Sequence, residues 1–255
     1  MKIAIIGAGA FGTALGGILF DNGFEIDYYD PNLAKIRLSD ALDNASFCLV
    51  AAPSSVVPYL LPHLPRSLHL IVATKGLFDD RLLLKFDEYD VISGPTFADD
   101  IKNKRLTKMT ATSKDVVDMF ATDYLSFDIT NDKKGVLMCG SLKNIYAMYA
   151  GFLGLKRETQ SWREYIGKVL TEMRGILLKN EALPETVDLA CGVDDLMLTS
   201  GLPSRNYEYG LRLAKNHNHK SNNTVEGLTA LNKIKHGRIK IPNDAVIMHD
   251  CLKKL

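Results

Sequence analysis

The first twelve residues constrain this chain more than any other stretch. KIAII is a short apolar, β-rich run, and Gly7-Ala8-Gly9-Ala10-Phe11-Gly12 follows at once. A strand that ends in G-x-G-x-x-G and opens directly into a helix is built to receive a dinucleotide pyrophosphate. Gly7 permits the tight turn, Gly9 lets the pyrophosphate approach the backbone, and Gly12 lets helix and strand pack closely. The helix start then offers unpaired N–H groups and the positive end of its dipole. The competing reading of this run is a signal peptide, but no cleavage region precedes the charged stretch EIDYYD.

Asp30 lies 18 residues after Gly12, at the end of a second strand, EIDYYD. The acid that binds the ribose hydroxyls of NAD is expected about 20 residues on, and it would repel a 2′-phosphate. A turn acid before Pro31 explains the same residue. FCLVAAP, LHLIVATKG and DVISGPTFA read as further strands, the first two apolar on both faces as in a covered parallel sheet. Alternation of strands with helical runs implies a doubly wound sheet with right-handed crossovers. After about Thr130 every segment is helical in style. The expected fold class is therefore α/β: an N-terminal Rossmann-type doubly wound domain over 1–133, then an all-helical domain over 134–255. The polar run at 215–223 reads as an exposed loop.

GSLKNIYAMYAG opens the question of the second half. Lys143 is the single charge between Gly135 and Leu155. A membrane span would place this lysine at its centre, at about 2.5–3.5 kcal/mol on insertion scales, and no second span is present. In a helix, Lys143 shares a face with Ala147 and Ala150, whose small side chains leave room beside it. A desolvated ammonium suits proton transfer near neutral pH and needs a carboxylate close by. Asp194-Asp195 in CGVDDLMLTS is a candidate source, with Thr199 one turn on; a helix-start charge pair is the alternative. Lys75 in ATKG and Gly94 and Thr96 in SGPTFA end strands on the rim that lines the ligand crevice of such sheets. Arg205 in SRNYEYG offers a planar fork suited to phosphate.

The bulk properties narrow the class further. A net charge of +1 over 255 residues gives no global field for nucleic acid or an acidic membrane. The basic runs at 102–105 and 233–240 read as solvated loops or helix faces. The four cysteines form no C-x-x-C pair, which fits a reducing cytoplasm better than a disulfide framework or zinc site. The six histidines show no metal-binding spacing on a helix.

In order, GAGAFGTALG, ATKG, SGPTFA, GSLKNIYAMYAG, GVDDLMLTS, SRNYEYG and TVEG resemble the bacterial-type NAD(P)-dependent sn-glycerol-3-phosphate dehydrogenases. The resemblance runs from Met1 to about Gly227, and the tail KIPNDAVIMHDCL extends it. It implies reduction of dihydroxyacetone phosphate to glycerol 3-phosphate with NAD or NADP as cofactor, feeding phospholipid synthesis. It makes Lys143 the proton donor and acceptor, with Lys75, Asn144, Asp195 and Thr199 around the substrate carbonyl and hydroxyls. Gly94, Thr96, Ser204, Arg205 and Asn206 would complete the substrate pocket. Ala10, Phe11, Tyr29, Lys75, Ala98, Arg205 and Glu226 would touch the cofactor, together with Gly7, Gly9, Gly12 and Asp30. A related hydroxyacid or polyol-phosphate dehydrogenase and a weakened nucleotide-binding homologue are the alternatives. The expected partner is the small-molecule substrate, with no nucleic acid, no membrane span, and a homodimer as the candidate assembly.

Two departures stand out. The chain is several tens of residues shorter than usual members, mostly between Gly12 and Lys75 and in the tail after Glu226. Asp194 stands where the family usually has glycine, and its charge is expected to raise the pKa of Asp195 or turn that carboxylate away.

Overall fold

The apolar residues of β1 (Lys2–Ile6) point to both faces of a sheet, and both are covered: Ile3, Ala4, Ile5 and Ile6 are all buried. A computed structural model describes residues 1–32, 36–216, 219 and 225–255. The chain forms two compact units, one of Met1–Thr74 with Asp79–Lys133, the other of Lys75–Phe78 with Lys134–Leu255. The polar run at 215–223 lies largely outside the described residues.

The first unit is a seven-stranded sheet in the order β2-β1-β3-β4-β5-β6-β7. Its strands are β1, β2 (Glu25–Tyr29), β3 (Ala45–Val50), β4 (His69–Val72), β5 (Tyr89–Ser93), β6 (Thr107–Ala111) and β7 (Leu125–Ile129). All pairings are parallel except β5 with β6. The helices α1 (Ala10–Asp21), α2 (Leu38–Leu42), α3 (Val57–Leu60), α4 (Ala98–Lys102) and α5 (Lys114–Met119) complete this unit. The chain leaves β1 toward β2 and returns to β3 on the other side, so the topological switch point lies between β1 and β3, where open α/β sheets bind ligands. One face of the sheet packs Ile3, Ile5, Leu49, Ile71 and Ile92 against Leu15, Ile18 and Leu19 of α1.

The start and end of α1 follow from its glycines. Gly9 is the N-cap, and no side chain caps it. At the other end Gly23 takes φ +86°, donating its N–H to Phe20 O while Phe24 N–H reaches Leu19 O. That pair of bonds is a Schellman stop, which favours glycine at this position.

The second unit is helical: α6 (Lys133–Phe152, continuing from the last residue of the first unit), α7 (Gln160–Lys179), α8 (Asp195–Thr199), α9 (Arg205–Lys215), α10 (Glu226–Lys235) and α11 (Val246–Lys254). In α6, 16 of 20 residues are buried, so it has no solvent face; this is why its sequence looks like a membrane span. Among the described residues, no helix is long and apolar enough to cross a membrane. Two helices approach α6 at backbone contact. A Cβ on Gly210 of α9 would lie 1.9 Å from Met148 O, and one on Gly227 of α10 would lie 2.5 Å from Asn144 O. A 3₁₀ turn (Pro184–Asp188) and a π-turn (Ala190–Asp194) lead into α8.

Candidate active site

In the first unit, the glycine turn is locked by its surroundings. Gly7 has φ +102°, and a Cβ there would stand 2.8 Å from the Ala51 carbonyl. A Cβ on Gly12 would stand 2.0 Å from Gly7 O, whereas one on Gly9 would meet nothing within 4 Å. Two glycines are thus needed for packing and the third leaves the approach to the helix start open. Asp30 closes the turn: its Oδ2 accepts from Ala8 N at 3.1 Å and its Oδ1 from Asn32 N at 2.9 Å. Each carboxylate oxygen keeps a lone pair for a ribose hydroxyl. Ala10 and Phe11 begin α1, and Tyr29 ends β2 beside Ile6 of β1. The turn, its open helix start and its acid fit a dinucleotide.

Other residues of the first unit are held inward. Gly94 is buried where a Cβ would sit 2.7 Å from Met109 Cα. Thr96 Oγ1 bonds Thr107 Oγ1 at 3.0 Å and donates to Lys108 O at 3.2 Å. Ala98 is the first residue of α4 and packs on the sheet core.

The second unit gathers Lys75, Lys143, Asn144, Asp195, Thr199, Ser204, Arg205, Asn206 and Glu226. Lys143 Nζ lies 2.5 Å from Asp195 Oδ1, with the two side chains 3% and 1% exposed. A buried lysine is sustained by such pairing. Asp195 Oδ2 is buried with no hydrogen-bond partner among the described residues. Asp194 is exposed, so the expectation that its charge turns Asp195 away is overturned. The π-turn accounts for this: it ends at Asp194 and leaves Asp195 as the first, inward-facing residue of α8. Single π-turns recur at functional sites because they re-aim the side chains that follow.

Lys75 is half-buried. Burial lowers its amine from 10.5 to about 8; Asp195 partly offsets this and Lys143 adds to it. The remaining residues form a chain of amides. Asn144 Nδ2 donates to Lys75 O at 2.6 Å and to Gly140 O at 3.0 Å, and its Oδ1 accepts from Asn206 Nδ2 at 2.9 Å. Asn206 Oδ1 in turn accepts from Gly227 N at 3.0 Å, capping the start of α10 just after Glu226. Both Asn144 amide hydrogens are thus committed to the protein, and the side chain serves as a clip on the backbone of Lys75. Thr199 Oγ1 donates back to Asp195 O at 2.6 Å. Ser204 caps α9, accepting from Tyr207 N at 3.5 Å, and Arg205 is exposed at the start of that helix. Among the described residues, no group of three or more His, Cys, Asp or Glu side chains is arranged to hold a metal.

A residue outside the sequence-based list enters here. Lys233 sits in a basic run read above as a solvated helix face, yet it is half-buried and its Nζ donates to Leu77 O. Nothing in the spacing of KIKHGRIK separates it from its exposed neighbours.

A nucleotide turn on a parallel sheet and a buried lysine–aspartate pair in a helical unit together place this chain among the dinucleotide-dependent dehydrogenases. Comparison with known proteins narrows the class. A family model described as the C-terminus of NAD-dependent glycerol-3-phosphate dehydrogenase matches residues 132–248. The glycerol-3-phosphate dehydrogenase (NAD(P)+) of Streptococcus suis is 31% identical over 84% of this chain and 78% of its own length. That of Desulfotalea psychrophila is 29% identical over 85% and 79%. The crystal structure of glycerol-3-phosphate dehydrogenase from Coxiella burnetii superposes with a TM-score of 0.81 at 25% identity, covering 98% of this chain and 94% of that one. The chain belongs to the NAD(P)-dependent glycerol-3-phosphate dehydrogenase family.

Proposed function

We propose that this protein reduces dihydroxyacetone phosphate to sn-glycerol 3-phosphate, reversibly, with NADH or NADPH, and so supplies glycerophospholipid synthesis. The observation that carries the reading is the Lys143–Asp195 pair at 2.5 Å, buried and with one carboxylate oxygen unpartnered among the described residues. The bound reduced nicotinamide supplies a hydride to C2 of the ketone. As negative charge grows on the carbonyl oxygen, Lys143 neutralises it and passes it a proton, a step worth about 10²–10⁴-fold. Asp195 keeps that ammonium charged and aimed, and its second oxygen is available to a substrate hydroxyl. Lys75, held near 8, is mainly protonated at neutral pH and adds a second positive charge beside the pair. Arg205, exposed at the start of α9, is suited to the substrate phosphate. Anchoring the phosphate away from the reacting carbon lets binding energy orient the ketone.

The same reading makes Gly7, Gly9, Gly12 and Asp30 the pyrophosphate and ribose site, and assigns Gly94, Thr96, Thr199, Ser204 and Asn206 to the shape of the substrate pocket. It describes a cytoplasmic enzyme, in keeping with four free buried cysteines, with a small-molecule partner and a homodimer to be sought by light scattering. The deciding assay follows oxidation of NADH and of NADPH with dihydroxyacetone phosphate. Turnover with another ketone but not with dihydroxyacetone phosphate would point to a related dehydrogenase. Binding of NADH without any turnover would point to a weakened homologue. Lys143→Ala is expected to abolish hydride transfer and leave NADH binding unchanged; an unchanged kcat would remove the lysine from the mechanism.

A further inference from the structure

Lys75 brings a second amine beside the Lys143–Asp195 pair, and its position decides what field the pair feels. Its backbone belongs to a four-residue segment, Lys75–Phe78, that groups with the helical unit. Two side chains hold that segment by its carbonyls. Asn144 takes Lys75 O, and Lys233 takes Leu77 O. Leu77 and Phe78 are themselves buried. The two grips share one helix: Lys233 projects from α10, and the amide chain from Asn144 through Asn206 ends on Gly227 at the start of the same helix.

We propose that Lys233 is a positioning residue for the reaction, its amine on the Leu77 carbonyl holding the 75–78 segment so that the Lys75 amine stays beside the Lys143–Asp195 pair. The inference rests on the function proposed above. A surface lysine would gain little from one carbonyl. Lys233 instead accepts burial, which lowers the affinity of its amine for a proton, while Glu226 opposes that effect and Arg238 adds to it. A charged donor held at a part-buried carbonyl makes a stronger bond than a neutral one. Loss of it leaves the Leu77 carbonyl without its charged donor and loosens the segment at one of its two side-chain grips, while Asn144 still holds Lys75 O. The Lys75 amine would then sit farther from Asp195 of α8 and Lys143 of α6, two charged groups that act on it, and in more water.

The test has two arms on the full chain. Competitive labelling of lysine amines across pH, read by mass spectrometry, reports the titration of Lys75 without any turnover. In the wild type the midpoint is expected near 8. In Lys233→Met it is expected to rise by at least about 1 pH unit toward the unperturbed lysine range. Steady-state kinetics should show kcat lower by about 10–100-fold, the scale of a misplacement near 1 Å, with KM for NADH unchanged. Lys233→Arg, which keeps a cationic donor, should recover most of both. Lys235→Met, an exposed lysine of the same helix, should change neither. An unmoved Lys75 midpoint in Lys233→Met overturns the proposal. So does a Lys233→Met chain that fails to fold, since the lysine is then part of the scaffold. If the wild type does not turn over dihydroxyacetone phosphate, the functional reading falls while the labelling arm still decides the role of Lys233.

Discussion

Replacing Lys75 by Met should abolish most activity and yet make the protein more stable. Burial drives the Lys75 amine from 10.5 down to about 8, so the folded chain disfavours its charged form. At about 1.36 kcal/mol per pH unit, that displacement corresponds to about 3 kcal/mol. Because the residue is only half-buried and keeps part of its hydration, a gain of about 2–3 kcal/mol is expected from Met, which fills similar space without charge. The pH dependence gives the sign. Below pH 8 the amine is charged in both folded and unfolded chains, and the whole penalty weighs on the native state. As pH rises through about 8 the folded chain releases the proton, while the unfolded chain keeps it up to 10.5. Wild-type stability therefore climbs between pH 8 and 10.5, and the gap to the variant closes over that window. Urea unfolding of both proteins at a series of pH values measures this directly. A variant less stable than wild type at pH 7, or a gap that does not change with pH, would refute the reasoning.

Asp195→Asn leaves the Lys143 ammonium buried without a counter-charge and should destabilise by about 3–5 kcal/mol in urea titration, while Lys143→Met with Asp195→Leu should regain most of that stability without activity. Gly12→Val places side-chain atoms where a Cβ already lies 2.0 Å from Gly7 O, so fluorescence titration should show NADH affinity weakened by at least about tenfold. Glu172 accepts from Ile247 N at 2.6 Å, Met248 N at 3.0 Å and Tyr146 Oη at 3.1 Å, capping α11; Glu172→Ala should cost about 1.5–3 kcal/mol and raise amide exchange in Val246–Lys254 before it affects kcat.

The first half of the fold was readable because its signals are local. Apolar runs mark β1, β3, β4 and β5, the short run EIDYY after the Gly23 stop marks β2, and the glycine turn needs only its neighbours in sequence. The two strands that escaped, TKMTA and LSFDI, are short and carry polar residues. β7 is the edge of the sheet, where Ser126 and Asp128 need no apolar cover; LSFDI alternates strictly, but five residues are too short a run for that alternation to stand out from a loop. The antiparallel β5–β6 pairing is likewise set by which strand lies beside which, and no spacing encodes it. In the second half, helical periodicity was plain, but the close approaches at Gly210 and Gly227 and the clip from Asn144 to Lys75 are long-range contacts that no window of sequence contains.

The lysine in GSLKNIYAMYAG shows where that limit falls. A single charge in an apolar helix demands a carboxylate, so the existence of a partner followed from energetics alone. Which of two adjacent acids supplies it did not follow, because neighbouring residues on a helix differ by about 100° in direction and either could face inward. The π-turn at Ala190–Asp194 makes the choice, and glycine at 192 allows it: a Cβ there would stand 2.2 Å from Val187 O. With Asp195 directed to Lys143, Asp194 is left in water, where high dielectric screens its charge from the pair. An acid at position 194 therefore adds no second carboxylate to the buried pair, because the backbone, and not the charge pattern, decides which carboxylate is buried.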